Sequence, residues 1–237
     1  MIVYPSNWYN IGEKVDVSSI ERIIENIIND MRCEALSLSG GIDSALLLYF
    51  MSKSRHKVRA YTIGYSENHP DVVYARKACE WFDNVEHIVH IPTSKVERLE
   101  GDLPGDEFVR EFYRFVSNFE DGMITGDGVD ELMCGYYGHQ SDPTDETYFK
   151  YIRNLLPSHL EPLHKNSGGV FVYLPYLDDR LVSVLSMIPI SEKVDSETRK
   201  KIMIEIANGK LPDSIVYRRK YGFVNALSDI REERDGD

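Results

Sequence analysis

Isoleucines at positions 20, 23, 24, 27 and 28 recur three and four apart, the spacing of one helix face. Residues 17–31 are therefore predicted to form an amphipathic helix, with Ser18 or Ser19 as its cap. Ala35-Leu36-Ser37-Leu38 reads as a short buried strand, and Ala45 to Met51 as an apolar helix close behind it. Strand and helix then alternate, with strands over 58–63, 86–91 and 122–125 and helices over 71–82 and 107–118. Such alternation predicts an α/β fold: a doubly wound, mostly parallel sheet of five strands, of which the pattern places four, with helices on both faces and ligands at the carboxyl ends of the strands. Beyond residue 140 the pattern changes. A polar stretch, Ser141 to Thr147, precedes helical segments near 147–155, 178–187 and 195–208, and Leu211-Pro212 opens a short last helix. Residues 1–140 thus read as an α/β core and 141–237 as a mainly helical part, the two together one compact unit.

The chemistry sits where the pattern breaks. Between the first strand and its helix runs Ser39-Gly40-Gly41-Ile42-Asp43-Ser44. Glycines there let the backbone approach an oxyanion, and the following helix offers unpaired N–H groups and its positive dipole end. Ser39 and Ser44 add hydroxyl donors, and Asp43 is suited to hold a Mg²⁺ that bridges phosphate oxygens. The G-x-x-x-x-G-K-[ST] loop occurs nowhere in the chain, so any phosphate site is of another type. An ordinary glycine turn is the bland alternative. The end of the fourth strand carries Thr125-Gly126-Asp127-Gly128-Val129-Asp130-Glu131-Leu132, with three carboxylates in five positions. Carboxylates this close repel unless a cation lies among them or one keeps its proton; an acidic helix start that complements the helix dipole is the competing reading.

Composition narrows the classes. A net charge of −12 argues against a broad nucleic-acid footprint, which needs clustered lysine and arginine. No apolar run approaches the roughly 18 residues of a membrane span, and the first residues show no secretory pattern, so a cytoplasmic protein is expected. Cys33, Cys79 and Cys134 are widely spaced without a C-x-x-C pair, which points to free, mostly buried thiols rather than zinc or iron–sulfur ligands. His87 and His90, three apart in a strand, face opposite sides and cannot pair on a metal. His139 reads as a surface histidine. Tyr136, Tyr137 and Tyr173 are candidates for an acceptor pocket, with core packing as the default.

S-G-G-x-D-S after a first strand resembles the pyrophosphate loop of the N-type ATP pyrophosphatases, and further blocks narrow the resemblance. Residues 125–137, T-G-D-G-V-D-E-L-M-C-G-Y-Y, are similar to the S-G-[ED]-G-x-D-E-L-x-x-G-Y block of the asparagine synthetase synthetase domain. Leu174-Pro175-Tyr176-Leu177-Asp178 resembles that family's V-P-F-L-D, and Arg218, Lys220, Gly222 and Phe223 match its R-x-K-x-G-F. The likeness runs from about residue 17 to 225. It implies an adenine nucleotide α-hydrolase-like fold and an ATP-dependent, AMP-forming amide ligase: a carboxylate is adenylated with release of pyrophosphate, and an amine or ammonia then displaces AMP.

By the same resemblance Ser39, Gly40, Gly41, Ile42, Asp43 and Ser44 would cradle the pyrophosphate. Leu36, Ser37, Ile63 and Gly126 would contribute to the nucleotide site, and Asp43 and Asp130 would share Mg²⁺. Lys220, Asp127 and Arg218 would be the catalytic set, Lys220 by stabilising the negative charge built during adenylation and acyl transfer. ATP and Mg²⁺ are the implied cofactors, and a small-molecule carboxylate with an amine or ammonia the implied partners.

Departures from the family matter too. Residue 2 is Ile where the family's glutaminase domain has its cysteine, and only 38 residues precede the loop. Hydrolysis of glutamine by this chain is therefore not expected, which leaves room for a separate glutaminase or a homo-oligomer. Phe171-Val172-Tyr173 stands where the family often has E-x-R, which implies a remodelled acceptor pocket. The alternatives kept open are an ammonia-dependent NAD synthetase, another nucleotide-modifying enzyme of the superfamily, and a nucleotide-binding subunit without catalysis.

Overall fold

A computed structural model describes residues 16–218. Five parallel strands form one sheet: β1 (Ala35–Ser37), β2 (Val58–Ile63), β3 (Val85–His90), β4 (Gly122–Ile124) and β5 (Phe171–Tyr173), in the order β3-β2-β1-β4-β5. The sheet is wholly rather than mostly parallel. Its fifth strand, unplaced by pattern, is the Phe171-Val172-Tyr173 segment, in register with Gly122, Met123 and Ile124. Chain order reverses between β1 and β4. The chain leaves β1 toward β2 on one side and returns from β3 to β4 on the other, so a crevice opens between the carboxyl ends of β1 and β4.

Helices α1 (Val17–Asp30), α2 (Ile42–Ser54), α3 (Pro70–Cys79) and α4 (Asp106–Val116) cover this sheet. Alternation along β2 assigns the faces. Tyr61 turns toward α4, where its ring meets Phe115, while Thr62 on the opposite face bonds the His87 ring. His90 points with Tyr61, stacking on Phe115 and meeting Glu111 at 2.9 Å. The two histidines therefore do face opposite sides. Helix α1 buries Ile20, Ile24, Ile27 and Ile28 completely, each worth about 1.5–3 kcal/mol. Its cap is Asp16 rather than Ser18 or Ser19: Asp16 has extended backbone angles and accepts from the Ser18 N–H. At its other end Arg55 donates to the carbonyls of Ile28 (2.5 Å) and Met31, oxygens a helix end leaves without partners, and to that of Cys33 (3.3 Å) just beyond. All three cysteines are free and buried.

After β4 the chain is mostly helical: α5 (Val129–Leu132), α6 (Tyr137–Ser141), α7 (Asp145–Leu155), α8 (Glu161–Asn166), α9 (Asp179–Met187), α10 (Ile190–Lys193), α11 (Lys201–Ala207) and α12 (Asp213–Val216). One turn of π-helix, Leu156–Leu160, joins α7 to α8. The helix expected over 195–208 is shorter at its start. Asp195 accepts the N–H groups of Glu197 and Thr198 in a side-chain turn, and Lys200 takes left-handed angles (φ 55°) before the helix begins. Among the described residues no helix is long and apolar enough to cross a membrane.

Candidate active site

The glycine loop leaves β1 and turns into α2 at the crevice. Gly40 has φ +67°, and a Cβ there would lie 2.3 Å from the Ala75 nitrogen and 2.5 Å from the Tyr74 carbonyl carbon. Only glycine lets the loop lie flat on α3. Ser44 ties the turn together: its hydroxyl accepts from the Ser39 N–H at 3.2 Å, donates to the Gly41 carbonyl at 3.2 Å and meets the Ser39 hydroxyl at 3.3 Å. Gly41 caps α2, so the first N–H groups of a 13-residue helix open onto the loop.

Arg218 braces this turn from outside. It donates to the Ser39 carbonyl at 2.7 Å and to Asp71 at 2.5 Å, with its guanidinium over the Tyr74 ring. Lys220, Gly222 and Phe223 lie outside the described residues.

Beyond β4 the chain turns at Gly126 and Gly128 into α5. Gly126 sits against Asp43 and Ser44, where a Cβ would be 3.5 and 3.6 Å away, so the second turn packs directly on the first. Tyr176, fully buried, donates from its hydroxyl to the Asp43 carbonyl at 2.9 Å. The carboxylates of Asp43 and Asp130 converge on one ammonium, that of Lys200, at 2.5 and 2.6 Å. This lysine is almost wholly buried, with 7% of its side chain exposed. Burial acts to deprotonate it, but the charges of Asp130 and Asp43 outweigh burial and hold it protonated, its pKa above the ordinary lysine value. Gly135 makes room for this pairing, since a Cβ there would fall 1.8 Å from Asp130 Oδ1 and 2.3 Å from Lys200 Cε. The other Asp43 oxygen, Oδ1, is buried and has no hydrogen-bond partner among the described residues.

Asp127 lies one turn before Asp130. His159 donates to its Oδ1 at 2.6 Å and Thr125 donates to its Oδ2. Burial would raise the Asp127 pKa, but His159 and Thr125 outweigh it and hold the carboxyl below its usual range. Burial likewise works against the imidazolium, yet Asp127, Glu131 and Asp130 together lift the His159 pKa to about 9. Glu131 accepts from the Tyr136 hydroxyl at 2.7 Å, and burial raises its pKa. Of the expected set, the structure brings together the loop residues 39–44, Gly126, Asp127 and Asp130, with Arg218 touching the loop. Ser37 and Ile63 close β1 and β2 just beneath. Leu36 sits lower, in the ladder between Ala60 and Ile124.

A family model for asparagine synthase matches residues 34–170 and 166–235. The chain belongs to this family. Among curated relatives, a probable glutamine-hydrolysing asparagine synthetase of Dictyostelium discoideum is 24% identical over 92% of this chain and 48% of its own length. One from Acanthamoeba polyphaga mimivirus is 24% identical over 81% of this chain and 39% of its own. The chain therefore spans about half the length of these relatives, or less. An ammonia-dependent NAD synthetase from Campylobacter jejuni aligns over 94% of this chain and 86% of its own, at 15% identity and a TM-score of 0.49.

The two turns carry the glycine and acidic motifs of the sequence, whereas Lys200 and His159 carry no such mark. Lys200-Lys201 looks like ordinary helix surface, and nothing local links it to Asp43, 157 positions away. His159 lies between two prolines, a context that reads as a loop. Two tyrosine expectations fail in part. The Tyr173 ring lies over Gly122 and lines a cleft of about 550 Å³ at the amino ends of the strands, away from the loop. Tyr137 is exposed beneath Arg199.

His139 is not on the surface. It is buried against Tyr136 and Tyr151, its Nδ1 accepting from the Tyr136 N–H at 3.3 Å. Burial lowers its pKa from 6.5 to about 4, so the unfolded chain binds the extra proton between those pH values. Stability should fall as pH drops from 6.5 toward 4, by up to about 3 kcal/mol from this group. Urea midpoints at pH 7.5 and 5.0 should differ less in His139→Asn, whose amide oxygen stands in for Nδ1 and can still accept from the Tyr136 N–H.

Proposed function

We propose that this chain is an ATP-dependent, AMP-forming amide ligase acting on a small carboxylic acid, with an amine or ammonia as nitrogen donor. The observation that carries the reading is the convergence of Asp43, from the glycine loop, and Asp130, from the second turn, on a single cation at the switch point of a parallel sheet. Two carboxylates that share an ammonium form a pair suited to a divalent ion, and the buried Asp43 Oδ1, without a partner among the described residues, is an available ligand atom. Magnesium is commonly held by one or two carboxylates and completed by phosphate oxygens, so a third protein ligand is not required. When bound, the ion would neutralise charge on the departing pyrophosphate.

The remaining roles follow from contacts. The loop N–H groups and the start of α2 bind the β- and γ-phosphates, while Arg218 fixes the Ser39 peptide that shapes the loop. An oxygen of the acid attacks the α-phosphorus, the bond to the β-phosphate oxygen breaks, and pyrophosphate leaves. The amine attacks the acyl carbon as its free base, AMP departs with that oxygen, and the proton lost from nitrogen passes to solvent. Asp127, held ionised, would attract the protonated amine to the site before it gives up its first proton to water. Lys220 is proposed to stabilise the charge at the α-phosphate.

The test is incubation with Mg·ATP, ammonia and a panel of carboxylic acids, scored for AMP and pyrophosphate. Stoichiometric AMP, pyrophosphate and amide is the expected result; ADP and phosphate would reject the mechanism. The reading places the protein in the cytoplasm with its metabolite substrates.

A further inference from the structure

The proposed substrates pose an electrostatic problem. An acid and a triphosphate, both anionic, must enter a crevice that already holds the carboxylates of Asp43, Asp127, Asp130 and Glu131. Such a field repels an anion unless a positive group with a spare donor stands among them. Two of the described cations are committed elsewhere: Lys200 lies between Asp43 and Asp130, and Arg218 holds Ser39 and Asp71, its Nε, without a partner among the described residues, being buried away from solvent. His159 differs. One ring nitrogen, Nε2, is spent on Asp127; the other, Nδ1, has no partner among the described residues, and 44% of the side chain is open to solvent.

We propose that His159 is the specificity-determining cation of the acceptor site, its Nδ1–H binding the carboxylate of the acid to be activated. Resting on the ligase reading above, the inference adds which residue selects an anionic acceptor.

The backbone is built to present this ring. Pro157 and Pro162 bracket it, and neither has an N–H to give to a preceding turn. Between them the chain widens into the one π-helical turn of the described residues, a rare conformation often found where a side chain must be redirected at a functional site. Asp127 then does two things for the ring. It anchors Nε2–H, which fixes the ring's direction, and it keeps the imidazole charged through neutral pH, consistent with a pKa near 9. A charged N–H on a carboxylate is among the stronger hydrogen bonds, enough to change the apparent affinity of the acid by about 10–100-fold.

His159→Gln keeps one N–H for Asp127 while removing the charge and the second donor. With the acid accepted in the panel, the variant should show a KM for that acid raised about 10–100-fold and a KM for ATP within twofold of the parent. A merely structural role would move both together, or kcat alone, and either result overturns the proposal. A second measurement does not depend on turnover. Ring ¹⁵N spectra of the full chain would be recorded with Mg²⁺ and α,β-methylene ATP, whose α–β bridge resists cleavage. Of the seven histidines, His159 is assigned as the signal lost in His159→Gln. Titration with each acid should move its Nδ1 resonance saturably for the accepted one. A ring that no acid moves overturns the proposal even where AMP is formed. A ring that responds to an acid in a protein forming no AMP keeps the binding role and rejects the ligase reading instead.

Discussion

Asp43→Asn is expected to reduce pyrophosphate release by about 10²–10³-fold while leaving a folded protein. The loss of rate follows from what the aspartate offers: a charged oxygen with no partner among the described residues, buried beside the glycine loop. An amide presents a neutral oxygen or a nitrogen to a hard cation that prefers charged oxygens, and removing one fixed charge-stabilising group at a reacting centre costs 10²–10³ by itself. The fold survives because the asparagine oxygen can still accept from Lys200, Asp130 remains as its counter-ion, and the Tyr176 bond runs to the Asp43 backbone rather than its side chain. Coupled detection of pyrophosphate, beside the melting temperature of the same sample, checks both halves. A variant retaining a tenth of the parent rate would remove Asp43 from the metal site.

Asp43 belongs to a local signal. The loop's chemistry is written in six consecutive residues between a strand and a helix, and local sequence fixes both neighbours. The isoleucine stripe of α1 is legible for the same reason, its period being one a short window can hold, and strands β1 to β4 are legible as short apolar or β-branched runs set between helices. What escaped is long-range or short. β5 is three residues long and begins with an exposed phenylalanine, so it shows no alternation, and only its ladder with β4 makes it a strand. Helix α11 starts at Lys201, later than its pattern predicts, because Asp195 closes a side-chain turn that competes with helix. Lys200 carries no local mark at all. Its role exists only because α11 packs α1 and α2 closely enough to bring residue 200 to residue 43.

That long-range contact sets the second large effect. Lys200→Met deletes the ammonium and leaves the Asp43 and Asp130 carboxylates facing each other in a largely buried place. Breaking a buried ion pair by removing one partner costs about 3–5 kcal/mol, since the remaining charge keeps its desolvation penalty and loses its compensation. For a chain of this size each kcal/mol shifts the melting temperature by about 2–4 °C, so a fall on the order of 10 °C is expected. Methionine keeps the unbranched stem that threads past Gly135, which separates lost charge from lost packing. If the two aspartates are a divalent site, millimolar Mg²⁺ should restore several degrees to Lys200→Met, because the ion can stand where the ammonium stood and binding to the folded state stabilises it by mass action. The same addition, without ATP, should do far less for the parent, whose ammonium already neutralises the pair and leaves Asp43 Oδ1 as the ligand atom for an ion that arrives with its phosphates. It should do little for the double variant Asp43→Asn/Lys200→Met, which keeps a single carboxylate. Equal stabilisation of all three proteins by Mg²⁺ would place the ion elsewhere and leave Lys200 as a structural cation alone.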